Sequence, residues 1–244
     1  MRRTHRIAGA AAVSLGASLA GLAALGPPAS GATSAKTQYQ AVLRAAGSES
    51  VHYVSKANDQ GVVLEVIGDT GQTSGSQVLV IQSGSTVEEL EVVLVGATGY
   101  VRGNANSLQK IIGLSAAQST TYTNVWLSFP ATDPTLAQLV GGLRNKDVAT
   151  ELAMSGPYTL AGTKKVGGHT TQGVKGFATS SSGGKVSIAL YYETGTTPHP
   201  VEEVTNPGKA GGIAGTVTFS KWGEKNHTVA PSKVVSLASL APAG

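Results

Sequence analysis

The apolar positions of this chain follow a helical period first and a strand period afterwards. In TSAKTQYQAVLRAAG, Tyr39, Val42, Leu43 and Ala46 recur three or four apart and the pattern stops at Gly47, which predicts one short amphipathic helix with a glycine at its C-terminal end. From there to about Asn104 the period falls to two, in SVHYVSKA, VVLEVIGD, SQVLVIQS, VEELEVVLVGA and GYVRGN. Glycine, Asn and Asp separate these runs, so four or five antiparallel strands are expected. Leu90, Val92 and Leu94 alternate with Glu89 and Glu91, and Leu64 and Val66 flank Glu65 in the same way, as a sheet with one wet face requires. The turns DQG and DTGQ supply residues that tolerate positive φ at hairpin tips.

The middle third returns to helical spacing. NSLQKIIGLSAAQSTTYTN carries an apolar stripe of Leu108, Ile111, Ile112 and Leu114; VWLSF is a short strand-like run; TDPTLAQLVGGL and NKDVATELAM follow. Asn106, Thr132 and Asn145 are expected as N-caps, Pro134 lies within a first helical turn and Gly141-Gly142 mark an end, so three or four short helices are predicted. After Gly156-Pro157 strands resume as PYTLAGTKKVGGHTTQGVKGFAT, KVSIALYYETG, PHPVEEVTN and GIAGTVTFSKWG, with a last strand expected to end near Pro231. Val186, Ile188, Leu190 and Tyr192 share one face of the second of these. Strands, a helical insert and strands again predict an α+β fold in which helices gather on one side of a single antiparallel sheet.

Ahead of all this, MRRTHR and the apolar run IAGAAAVSLGASLAGLAALG have the layout of a secretory signal, with Ser30 and Ala32 as the small residues before a cleavage site after Ala32. Residues 1–32 are read as the signal and 33–244 as a single domain of roughly two hundred residues, long enough to bury a core of its own. An uncleaved signal acting as an anchor is the alternative. The mature chain is expected to carry no stable transmembrane segment and to be secreted or held in the cell envelope.

Charge and composition narrow the partners. The formal net charge of +4 includes Arg2, Arg3 and Arg6, so the part after the signal stands at about +1. No Lys/Arg cluster interleaved with aromatics is present, and nucleic acid is not an expected partner. The chain has no cysteine, which excludes a disulfide framework, thiol catalysis and a lipid anchor through a lipobox cysteine.

No catalytic constellation is legible. His52, His169, His199 and His227 are far apart in sequence and lack metal-ligand spacing, and His5 belongs to the signal. The serine-rich loops lack a nucleophile elbow. Glu88, Glu89, Glu91, Glu202 and Glu203 are read as a solvated outer surface, because neighbouring acids on a strand face opposite ways. GATGYVRGN and AGTKKVGGHTTQG have glycines without the spacing of a phosphate loop. Neither an enzyme nor a cofactor is expected.

The phrase TVTFSKWGE near the C-terminus puts Val217 and Phe219 on one face and then breaks at Trp222-Gly223, where a curved sheet would bend; Trp222 is expected as a packing residue at the sheet rim. With the preceding KVSIALYYETGTTPHPVEEV, the Gly-rich GTKKVGGHTTQGVKG pair, the N-terminal helix and the helical insert, it resembles the actinobacterial LppX/LprAFG-like exported lipoproteins over most of the mature chain. The resemblance implies a LolA-like fold: a curved antiparallel sheet forming an incomplete barrel, with short helices covering its concave face. It further implies an exported non-enzymatic carrier or binding protein for a lipid or acylated amphiphile. The missing lipobox cysteine departs from the family. The expected cavity-lining residues are Leu64, Val66, Leu90, Val92, Leu94, Ile111, Leu139, Ile188, Leu190 and Phe219. If helical side chains such as Leu108, Leu136 and Leu143 fill the trough, the same fold serves instead as an envelope sensor or protein-interaction module, with an envelope protein as partner.

Overall fold

The computed structural model describes residues 34–179, 184–206 and 214–240. The expected signal, residues 1–32, lies outside the described residues. The first helix, α1 (Ala35–Ala46), starts where the Ser34 hydroxyl accepts the Thr37 N–H and ends at Gly47, burying Tyr39, Val42, Ala45 and Ala46. Five antiparallel strands follow: β1 (His52–Asp59), β2 (Val62–Thr70), β3 (Ser74–Ser83), β4 (Thr86–Val95) and β5 (Thr98–Gly103).

The insert comprises α2 (Ala105–Lys110), α3 (Ala116–Thr121), β6 (Trp126–Pro130), a 3-10 turn over Ala137–Val140 and α4 (Asn145–Glu151). Its caps differ from those expected. Asn104, not Asn106, accepts the Ser107 N–H and starts α2; Ser115 and Gln118 close a reciprocal capping box on α3; Asp133, not Thr132, accepts the N–H groups of Thr135 and Leu136. Asn145 is the first residue of α4 and its side chain instead accepts the Thr70 hydroxyl. Because α2 ends at Lys110, the Leu108–Leu114 stripe is one helical residue followed by a coil that packs on the same cluster.

Strands return as β7 (Ser155–Val166), β8 (His169–Thr179), β9 (Lys185–Glu193), β10 (Pro200–Asn206) and β11 (Ala214–Ser220). The expected strand near Pro231 is absent. Residues 221–233 form a strap without regular structure, and the last strand is β12 (Val234–Ser236), paired parallel to β6. The strap leaves β11 and reaches the far edge of the sheet, seven strands away along the curved sheet.

All twelve strands form one curved, open sheet in the order β12-β6-β5-β4-β3-β2-β1-β11-β10-β9-β8-β7. Two meanders, β1–β6 and β7–β11, are joined at the centre by the β1–β11 pair. Side chains of residues directly opposite one another share a face, so the ladders define the concave surface. One row across it reads Leu90, Leu79, Val66, Ser55, Val217, Glu203, Leu190 and Val174.

Two bodies of packed side chains sit on that surface. The β2–β6 half is covered by α2 and the Leu136–Leu143 segment, and the β8–β11 half by α1 and α4. Tyr39 ties the second half together: its hydroxyl accepts the Met154 N–H at 2.6 Å and donates to Leu152 O, and its ring stacks on Tyr158 at 4.9 Å. Burial pushes the Tyr39 phenol up to about 12. Among the described residues no helix is long and apolar enough to cross a membrane.

Candidate functional site

The ten residues expected to line one cavity all face the concave side, but they divide between the two packed bodies. Leu64, Val66, Leu90, Val92, Leu94, Ile111 and Leu139 belong to the β2–β6 cluster; Ile188, Leu190 and Phe219 belong to the other. Leu90, Val92 and Leu94 are fully enclosed at 0 % exposure, in contact with other side chains. Only Leu64 and Ile111 of the ten keep partial exposure.

The midline between the two bodies is different. On the same concave face Ser55 and Ala57 of β1, Leu64 of β2, Thr205 of β10 and Gly215 and Val217 of β11 are all half-buried. Helices lie over either half of the sheet and leave these small side chains partly open. The result is a strip floored by Ser, Ala, Gly and Thr with apolar walls on both sides. Sequence reading placed Leu64 and Val217 on this face but missed Ser55, Ala57, Thr205 and Gly215, because residues so small or polar carry no hydrophobic signal; the β1–β11 register brings them together.

Tyr53 bridges the two halves at one end of the strip and packs against both clusters. Its hydroxyl donates to the Gln77 side-chain oxygen at 2.7 Å, and the Gln77 amide donates to Leu139 O at 2.8 Å. The phenol end of the ring lies against Gly68, where any Cβ would stand 2.5 Å from it. Burial raises the Tyr53 phenol well above its ordinary value, with Glu151 and Asp69 adding to the effect.

Two acids stand at the strip, and here the expected solvated surface needs correction. Glu203 is buried at 9 % exposure, opposite Val217 on one side and Leu190 on the other. Its neighbour Glu202 faces out and pairs with Lys164, whereas no Lys or Arg among the described residues pairs with Glu203. Desolvation, with the Glu151 carboxylate adding to it and a Thr205 side-chain hydrogen bond pulling the other way, pushes the Glu203 carboxyl up to about 7. Glu151, at the end of α4, keeps exposed surface, yet the surrounding walls and Asp147 one turn before it raise its pKa as well. Glu88 is also buried, at 8 %, because it lies opposite Ile81 on the concave side; Lys110 of α2 neutralises it at 2.6 Å. Glu89 is exposed as expected, and the half-buried Glu91 pairs with Arg102.

Trp222 packs at the rim. Its indole N–H donates to Pro200 O at 2.8 Å, its ring stacks on His199 at 5.1 Å, and Gly223 at φ 74 turns the chain into the strap. His199 lies 3.3 Å from a Glu49 carboxylate oxygen and His52 lies 2.9 Å from Asp69. Among the described residues no group of three His, Asp or Glu side chains is placed to hold a metal ion.

No family model matches the chain, and no curated protein matches it in sequence. Solved structures do resemble it. LprF from Mycobacterium bovis superposes with a TM-score of 0.53 at 18% identity, covering 81% of this chain and 96% of that one. LppX, a lipoprotein of Mycobacterium tuberculosis, gives a TM-score of 0.46 at 14% identity over 80% of this chain and 98% of that one. A LolA superfamily protein from Nitrosomonas europaea gives 0.32 at 11% identity over 80% and 95%. With its open twelve-stranded sheet, two-meander order and helices on the concave side, the chain has the LolA-like fold in the form found in LprF.

Proposed function

We propose that this is an exported, non-enzymatic carrier or binding protein for a lipid or other amphiphile, seated on the midline strip between sheet and helices. The observation that carries the reading is the strip itself: half-open, floored by small side chains and walled by two apolar clusters, on the concave face of a sheet that does not close. An apolar chain laid along it gains roughly 0.8 kcal/mol per buried CH₂ without needing a charged contact. Residues 1–32 serve as the signal and 33–244 as the carrier domain in this reading. The two apolar clusters to which the ten concave-face residues belong back the walls, with Leu64 at the strip and Ile111 at the edge of its cluster.

Native mass spectrometry of the protein purified from its own host, with organic extraction of anything bound, tests the proposal. A reproducible mass increment that disappears on denaturation and yields an acylated species is the expected result. A clean apo mass with no uptake of an added fluorescent fatty acid overturns it. One observation favours a second reading: the complete enclosure of Leu90, Val92 and Leu94 is what a filled scaffold would show. As an envelope sensor or interaction module the protein would give the clean apo mass together with a co-purifying envelope protein.

A further inference from the structure

On its β10 side the midline strip is bounded by Glu203. The ladders fix the direction of this side chain: it stands opposite Val217 of β11 and Leu190 of β9, both on the concave face, and therefore points into the trough. The residue is only 9 % exposed, and no Lys, Arg or His among the described residues forms an ion pair with it. Glu88, the other buried acid of this face, has Lys110 of α2 as its counter-charge. A carboxylate buried without a cation loses hydration that nothing returns, so Glu203 either keeps its proton or takes its counter-charge from a ligand.

The groups around Glu203 make the imbalance larger. Glu151 ends α4, over the β8–β11 half, and its Cγ lies 3.8 Å from where a Cβ at Gly142 would stand, in the segment that covers the other half. Its charge is within electrostatic reach of both Glu203 on β10 and Tyr53 on β1, the two strands that flank β11. The basic residues of the covering helices, Lys36 and Arg44 of α1 and Lys146 of α4, are exposed and pair with neither acid. The Tyr39 hydroxyl is committed to the backbone of Leu152 and Met154, and the Tyr53 hydroxyl to Gln77. What the strip holds out to a ligand is thus two carboxyl groups and the hydroxyls of Ser55 and Thr205.

We propose that the strip selects an amphiphile with an ammonium head group, its nitrogen held by the Glu203 carboxylate beside Glu151 and its chain laid along Ala57, Gly215 and Leu64. This selection rests on the carrier reading and adds the chemistry of the head group to it. A carboxylate or phosphate head would meet two acids and no cation. A hydroxyl head would leave the buried charge unpaired. An ammonium group brings only N–H donors to a site whose open polar atoms all accept, and a charge-assisted hydrogen bond of this kind is stronger than a neutral one.

The test is isothermal titration calorimetry of the purified protein at pH 8 and 0.15 M salt with decylamine, decanol and decanoate, each below its micellar concentration. All three share one chain and differ only in the head. At this pH the amine is protonated and Glu203, with its pKa of about 7, is ionised. The expected result is that all three bind through the chain, decylamine at least about tenfold tighter than decanol and decanoate weakest. Glu203→Gln should reduce the preference for decylamine over decanol to about twofold while leaving decanol affinity unchanged. Glu202→Gln, on the opposite face of the same strand and paired with Lys164, should keep the ranking of the parent. Circular dichroism and the unchanged decanol affinity certify the fold of both variants. Equal affinity for decylamine and decanol in the parent, or a preference that survives Glu203→Gln, overturns the head-group assignment and leaves the carrier reading standing; binding of none of the three overturns both.

Discussion

Replacing Glu203 by Gln should make the protein more stable at pH 8 and leave it nearly unchanged at pH 5. In the fold this carboxyl has its pKa pushed from 4.5 to about 7, chiefly by desolvation. The unfolded chain releases the proton near 4.5, so between these values the native state binds more protons than the unfolded state. Stability then falls as pH rises. The favourable contribution is complete below 4.5 and lost above about 7. A span of about 2.5 pKa units at 1.36 kcal/mol each corresponds to about 3 kcal/mol. Glutamine has the same shape, still accepts the Thr205 hydrogen bond and never ionises, so it removes this dependence while the smaller one from Glu151, of the same sign, remains. Urea denaturation followed by tryptophan fluorescence at steps from pH 5 to 8.5 measures the difference. A stability gap between the two proteins that opens by about 2 to 3 kcal/mol across that range fits the reasoning. Parallel curves would refute it, because they would mean that Glu203 ionises in the native state as it does in water.

Other perturbations probe the rest of the site. Gly68→Ala places a Cβ 2.5 Å from the Tyr53 ring, and displacing that ring should cost about 1–3 kcal/mol in chemical denaturation and break the Tyr53–Gln77 hydrogen bond. Tyr39→Phe leaves the buried Met154 N–H without its 2.6 Å partner; a loss of about 1–3 kcal/mol is expected, read as a lower urea midpoint. Ala57→Trp fills the midline strip where the side chain is only half-buried, and should abolish uptake of a fluorescent fatty acid while circular dichroism stays that of the parent.

Much of this fold is local and therefore readable. The α1 stripe of Tyr39, Val42 and Ala46, the Leu90-Val92-Leu94 face and the Val186-to-Tyr192 face repeat with the period of their own element, and each is buried as its period demands. The bend at Trp222-Gly223 is legible for the same reason, since a ring that packs and a residue free to take positive φ are properties of the two residues themselves.

Tertiary structure decided what periodicity leaves ambiguous. In PVEEVTN the valines are three apart, so period two cannot choose between Glu202 and Glu203; pairing with Val217 of β11 and Leu190 of β9 turned Glu203 inward and gave it a pKa of about 7. The parallel addition of β12 to β6, and with it the strap, follows from an edge strand left free by the insert. The midline strip exists because β1 meets β11 across more than 150 residues of sequence, bringing Ser55 opposite Val217 and Ala57 opposite Gly215. A residue's face within a strand is set by its neighbours two positions away and is written in the sequence; its partner across a ladder is set by where a distant strand docks, and only the folded chain holds that information.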